Sequence, residues 1–159
     1  MPTMKMKIIA LRGEINSGKT RTLNKLIKKI IPLSSNLHRC PTDTDYDNEK
    51  VDRWVVLEYE GRTIAIITAG DGEKVLEKNF NEIQDYNKQI DLYICPTHSR
   101  EGTIHYVENM FGKKFVLWVR KLDIWRPVED LEDSRVDLLQ NEYNERQAFD
   151  LLNIINIFC

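Results

Sequence analysis

Apolar residues switch between two spacings along the chain, and the switches divide it into alternating strands and helices. KMKIIALR (5–12) alternates and then turns continuously apolar, as a strand buried on both faces does. After a short glycine-bearing stretch, Leu23, Leu26, Ile27, Ile30 and Ile31 recur at helical spacing, and Pro32 marks the stop. Residues 34–50 are polar without a period, which predicts a long loop. DRWVVLEYE and RTIAIITAG, joined at Gly61, predict an antiparallel hairpin. DGEKVLEKNFNEIQDYNKQ (71–89) reads as a helix, with Leu76, Phe80, Ile83 and, one residue beyond it, Ile90 along one face. DLYICP predicts a fourth strand, 102–112 a helix ending near Gly112, and KKFVLWVRK a fifth strand. IWRPVEDLED reads as a loop, and Ser134 with Asp137 is spaced as the N-terminal capping pair of a last helix.

This order predicts an α/β fold: one domain over 1–159, in three layers, with a mainly parallel sheet of about five strands. The hairpin supplies one antiparallel edge strand. No repeat, low-complexity tract or linker divides the chain.

Composition narrows the function classes. Apolar residues are 42% and charged residues 30%, values ordinary for a soluble domain. The formal charge of −2 gives no global basic field for nucleic acid. No run approaches the roughly 20 apolar residues of a membrane span, and MPTMKMKIIALRGE lacks a secretory h-region. Cys40, Cys95 and Cys159 match neither a zinc spacing nor a disulfide framework, so a reducing cytoplasm is the expected location. The tail LLNIINIFC reads as a packed helix end or a surface for an unidentified protein partner.

The chemistry concentrates in GEINSGKT (13–20), directly after the first strand. It fits G-x-x-x-x-G-K-[ST] in full, with the strand before it and the amphipathic helix after it that the pattern requires. The glycines let successive backbone N–H groups turn inward to phosphate oxygens, and the helix start adds its positive dipole end. Lys19 is placed to reach the β- and γ-phosphates, and the Thr20 hydroxyl to take a Mg²⁺ position. The stretch resembles the Walker A motif of P-loop NTPases. That resemblance implies a P-loop NTPase fold and binding of Mg²⁺ with ATP or GTP. The implied nucleotide-binding set is Gly13, Glu14, Ile15, Asn16, Ser17, Gly18, Lys19, Thr20 and Arg21.

Further stretches resemble Ras-like GTPases. TAGD (68–71) is similar to their D-x-x-G switch, with Ile67 where that family has its aspartate and Asp71 four residues later. Asp71 is therefore the candidate for the metal and for catalysis, and the Gly70 N–H for a γ-phosphate contact. Thr42 and Thr44 lie in a loop matching the one that carries a Mg²⁺-binding threonine in that family. Arg120-Lys121-Leu122-Asp123 is similar to the N-K-x-D base reader, which makes Asp123 the guanine-edge candidate; Trp125 is the candidate for base stacking. In CPTHSREGT (95–103), position at a strand end makes Arg100 a candidate for a γ-phosphate or an acceptor, and His98 a candidate base. Neither Ser17 nor Ser99 sits in a nucleophile elbow.

The expected function is Mg²⁺-dependent triphosphate binding with hydrolysis and switch-like behaviour, with Lys19, Asp71 and Arg100 as catalytic residues. Two alternatives stand beside it: a small-molecule or nucleotide kinase, and a nucleotide-binding module without turnover.

Overall fold

The structure, a computed structural model, describes residues 7–14, 17–40, 45–70, 72–86, 89–98, 101–122 and 133–158. Within them the element order is β1 (Lys7–Gly13), α1 (Lys19–Ile30), β2 (Ser35–Cys40), β3 (Trp54–Tyr59), β4 (Arg62–Ile67), α2 (Glu73–Tyr86), β5 (Leu92–His98), α3 (Glu101–Phe111), β6 (Val116–Arg120) and α4 (Asp133–Phe158). The six strands form one mixed sheet in the order β2-β3-β4-β5-β1-β6. β4, β5, β1 and β6 pair parallel, and β3 runs antiparallel to both of its neighbours.

Strand parity sorts the core into two layers, because successive side chains point to opposite faces. Ile9, Leu11, Ile64, Ile66 and Ile94 meet Leu23, Leu26, Ile27 and Ile30 of α1 and Ala148, Leu151 and Ile155 of α4. Ile8, Ala65, Ile67, Tyr93 and Cys95 meet Leu76, Phe80 and Ile83 of α2 and Val107 and Phe111 of α3. The chain is thus an α/β protein with helices on both faces of the sheet.

Two sequence expectations need correction. The stretch 34–50 is not one loop, since β2 lies within it and brings the sheet to six strands. The antiparallel strand is not at the edge, because β2 adds outside β3. α4 begins at Asp133, and the Ser134 side chain of the expected capping pair lies outside what the structure describes. The hairpin stands as expected. Tyr59 pairs with Arg62 across Glu60 and Gly61, whose φ angles of 50° and 73° are those of a type I′ turn. Among the described residues, no helix is long and apolar enough to cross a membrane.

One buried group works against the core. Tyr93 is 1% exposed between Phe80 and Phe111, at ring distances of 5.0 and 5.5 Å, and its hydroxyl has no hydrogen-bond partner. An unsatisfied buried hydroxyl costs about 1–3 kcal/mol, so Tyr93→Phe is expected to raise stability by about 1 kcal/mol in urea unfolding. Burial pushes the Tyr93 phenol up to about 12 from its ordinary 10. Its ionisation therefore leaves stability unchanged below pH 10 and lowers it as pH rises toward 12. The phenylalanine variant should lose less stability over that window.

A charged seam joins α1 to α4. Glu145 of α4 accepts from Lys29 and lies 3.5 Å from Lys25. The hydrogen bond from Lys29, with both lysine charges, holds the Glu145 carboxyl below its ordinary 4.5. Its contribution is present above that value and lost as pH falls through the lowered one. Glu145→Gln is expected to lower stability at pH 7 by less than about 1 kcal/mol, because the carboxylate is half exposed and screened. The variant should also flatten the acid limb of a stability–pH curve below pH 4.5. An unchanged acid limb would remove Glu145 from the seam's energetics.

Candidate functional site

The four parallel strands finish on one edge of the sheet, at Gly13, Ile67, His98 and Arg120. β5 stands between β1 and β4 there, with Gly13 in register with His98. In sheets of this kind ligands sit beyond the carboxyl ends of the strands.

The glycine stretch turns sharply at that edge. A Cβ on Gly13 would lie 2.7 Å from Lys121 Cβ and 2.8 Å from Ser17 Oγ, so only glycine fits. Gly18 has φ +90°, in the left-handed region, and a Cβ there would lie 2.9 Å from Asn144 Oδ1. The Ser17 N–H donates to the Glu14 carbonyl at 3.2 Å. Lys19, 6% exposed, folds back so that its ammonium donates to the Gly13 carbonyl and, at 3.0 Å, to that of Glu14.

α1 starts at Lys19 against the usual rules. Gly18 offers no side-chain cap, no acid stands in the first turn, and Lys19 and Arg21 occupy it instead. Cations at the positive end of a helix dipole are unfavourable unless an anion joins them. Thr20 then donates its hydroxyl to the Thr68 carbonyl at 3.0 Å. That bond uses the proton and leaves both hydroxyl lone pairs for a cation. Thr68, fully buried, is fixed in turn: its Oγ1 accepts from the Arg53 N–H at 2.8 Å, and its own N–H donates to the Arg53 carbonyl at 2.9 Å.

A cleft of about 460 Å³ opens over this helix start. One wall is Ser17 to Arg21, and Lys50 and Asp52 close one side. The other wall comes from α4, where Asp137, Gln140 and Asn144 share a face. Two buried polar atoms in these walls, Ser17 Oγ and Asn144 Nδ2, have no hydrogen-bond partner. Gln140 Nε2 donates to Asn144 Oδ1 at 3.0 Å. One turn on, Gln147 donates to the Arg120 carbonyl at 2.7 Å and accepts from the Leu122 N–H at 2.9 Å, so α4 also fixes the exit of β6.

Gly13, Ser17, Gly18, Lys19, Thr20 and Arg21 therefore lie together at the end of β1 and the start of α1. Glu14 contributes its backbone carbonyl. Lys121 is 5% exposed and packs against Gly13, with its ammonium donating to the Leu122 carbonyl. The His98 N–H is taken by Thr103 Oγ1 at 2.9 Å. Gly70 is buried against Pro96 of β5. Ile67 is a core residue on the α2 and α3 side. Ile15, Asn16, Thr42, Thr44, Asp71, Ser99, Arg100, Asp123 and Trp125 lie outside the described residues.

The sequence reading missed Asn144, Gln147, Asn24 and Arg53. Asn24, 1% exposed, donates to the carbonyls of Thr20, Glu49 and Val51, each at 3.0 Å. With the Lys25–Glu49 pair at 2.9 Å it ties the segment before β3 to α1. No local signal marks these positions, since each is a polar side chain that only tertiary packing turns inward. Among the described residues no group of three His, Cys, Asp or Glu side chains stands ready for a metal. No family model matches the chain, and no curated protein or solved structure matches it significantly.

Proposed function

We propose that the chain binds a nucleoside triphosphate with Mg²⁺ over Gly13 to Arg21 and hydrolyses it. One observation carries the reading: a helix start with two cations, no cap and no acid, facing a cleft with buried unpartnered donors. A polyphosphate supplies the missing negative charge and acceptors there. Lys19 would exchange its loop carbonyls for phosphate oxygens, and Ser17 and Asn144 would gain acceptors.

The residues also fit the metal. Mg²⁺ takes few protein ligands beside phosphate oxygens and water, so the lone pairs of Thr20 form a suitable first ligand. Thr20 would hold the ion, which would supply neutralisation of the phosphate charge. Asp71 is proposed as the further metal-side acid, Arg100 as the cation toward the γ-phosphate, and Asp123 as the guanine reader. The switch reading assigns the change of order on phosphate loss to 34–50 and 68–73, presented to a protein partner.

Titration with ATP and GTP, with and without Mg²⁺, tests the site, and phosphate release in the same samples tests turnover. Turnover without an added acceptor supports hydrolysis. Binding with no turnover favours phosphoryl transfer or a silent binding module. Failure of both nucleotides to bind refutes the reading.

A further inference from the structure

The cradle leaves the most unusual buried charge of the described chain unexplained. Arg53 is 5% exposed just before β3. Its Nη2 donates to the carbonyls of Asp45 and Asn48 at 3.0 and 3.2 Å, and its guanidinium lies 5.0 Å from the Tyr46 ring. Its Nε and Nη1 have no hydrogen-bond partner, and among the described residues no carboxylate pairs with it. A buried guanidinium is costly unless an anion and acceptors meet it, and carbonyls with a ring face supply only part of that. An oxyanion presents both the charge and paired acceptors.

Arg53 forms part of the wall of a second cleft, of about 470 Å³, between the start of β3, the end of β4 and α2. Lys74 and Lys78 line it from α2. Lys74 has no ion-pair partner among the described residues, and Lys78 reaches Glu82 only at 3.9 Å. Glu82 is engaged elsewhere, accepting from Trp54 Nε1 at 2.9 Å. Trp54 and Val75 give the cleft an apolar side. The volume is that of a small-molecule site, roughly 300–1,000 Å³, and exceeds the need of a bare tetrahedral ion. Asp52 lines both clefts, and Thr68 touches Thr20 on one side and Arg53 on the other.

We propose that this second cleft binds a small molecule through a phosphate-type oxyanion on Arg53 and Lys74, with its apolar body against Trp54 and Val75. The binding of this molecule does not rest on the nucleotide reading above.

The test titrates inorganic phosphate and phenyl phosphate, without nucleotide, into the wild type and the Lys19→Ala, Lys74→Glu, Arg53→Gln and double Lys19→Ala/Lys74→Glu proteins by calorimetry. Phenyl phosphate is expected to bind at least about tenfold more tightly than phosphate, because the ring covers the apolar side. In the Lys19→Ala background, where the cradle no longer competes for the probe, Lys74→Glu should weaken that binding about tenfold or more. Lys74 is exposed, so its variant decides the matter if Arg53→Gln fails to fold. Binding lost with Lys19 and kept in Lys74→Glu places the anion in the cradle and overturns the proposal. Equal affinity for the two probes leaves only a site for released phosphate and overturns it too, as does no binding at all. Parallel ATP and GTP titrations separate the two readings. Phenyl phosphate that depends on Lys74 in a protein blind to nucleotide upholds this site while the first reading falls.

Discussion

Lys19→Ala is expected to weaken Mg²⁺-nucleotide binding by about 100-fold or more. The variant removes the ammonium that would reach phosphate oxygens, and each charge-assisted hydrogen bond contributes about 1.5–3 kcal/mol. Two such bonds at the lower figure amount to about 3 kcal/mol, or roughly two decades of affinity. The ammonium now serves the Gly13 and Glu14 carbonyls and is largely buried, so the variant is expected to lose about 1–3 kcal/mol of stability as well. Calorimetry with ATP and GTP reads the affinity, and circular dichroism confirms the fold. A folded variant that binds within about threefold of wild type would show that the phosphate does not sit on this lysine.

Gly70→Ala is expected to cost about 3 kcal/mol of stability, at the upper end of overpacking penalties. A Cβ there would stand 2.6 Å from the Pro96 carbonyl oxygen and 2.8 Å from Pro96 Cγ, with Leu76 Cδ2 at 3.1 Å. The nearest obstacle is backbone of the neighbouring strand, so no side-chain rotation relieves it. The ends of β4 and β5 must part. Thr68, two residues earlier, would shift with them and draw its carbonyl from the Thr20 hydroxyl. Urea unfolding measures the cost. A loss below about 1 kcal/mol would mean that the two strand ends yield freely, contrary to this close contact.

How far the sequence could be read depended on which interactions are local. The glycine stretch was legible because each of its residues answers a local demand: a tight turn, a helix start, a lysine and a hydroxyl at set offsets. β1, β3, β4 and β5 were legible because burial writes itself as apolar runs. β2 was not. SNLHRC lies at the sheet edge, where exposed positions need no apolar alternation, and only pairing to β3 makes it a strand. The insertion of β5 between β1 and β4 was equally hidden, since strand order is fixed by contacts far apart in sequence. The second wall of the cleft failed for a related reason. Asn144 and Gln147 look like solvent-facing amides until α4 packs on α1 and turns them toward Gly18 and the end of β6. Arg53 stands at the start of the DRWVVLEYE run, where nothing local indicates that it is buried.

That placement of α4 has a temporal meaning. A ribosome releases the glycine loop well before the helix carrying Asn144. A nascent chain lacking α4 has the loop but only one side of its cleft, and the exit of β6 has no Gln147 to hold it. Under the proposed reading, capture of nucleotide would begin only when synthesis has passed this helix, so nucleotide would reward a chain that includes α4 and not a shorter one.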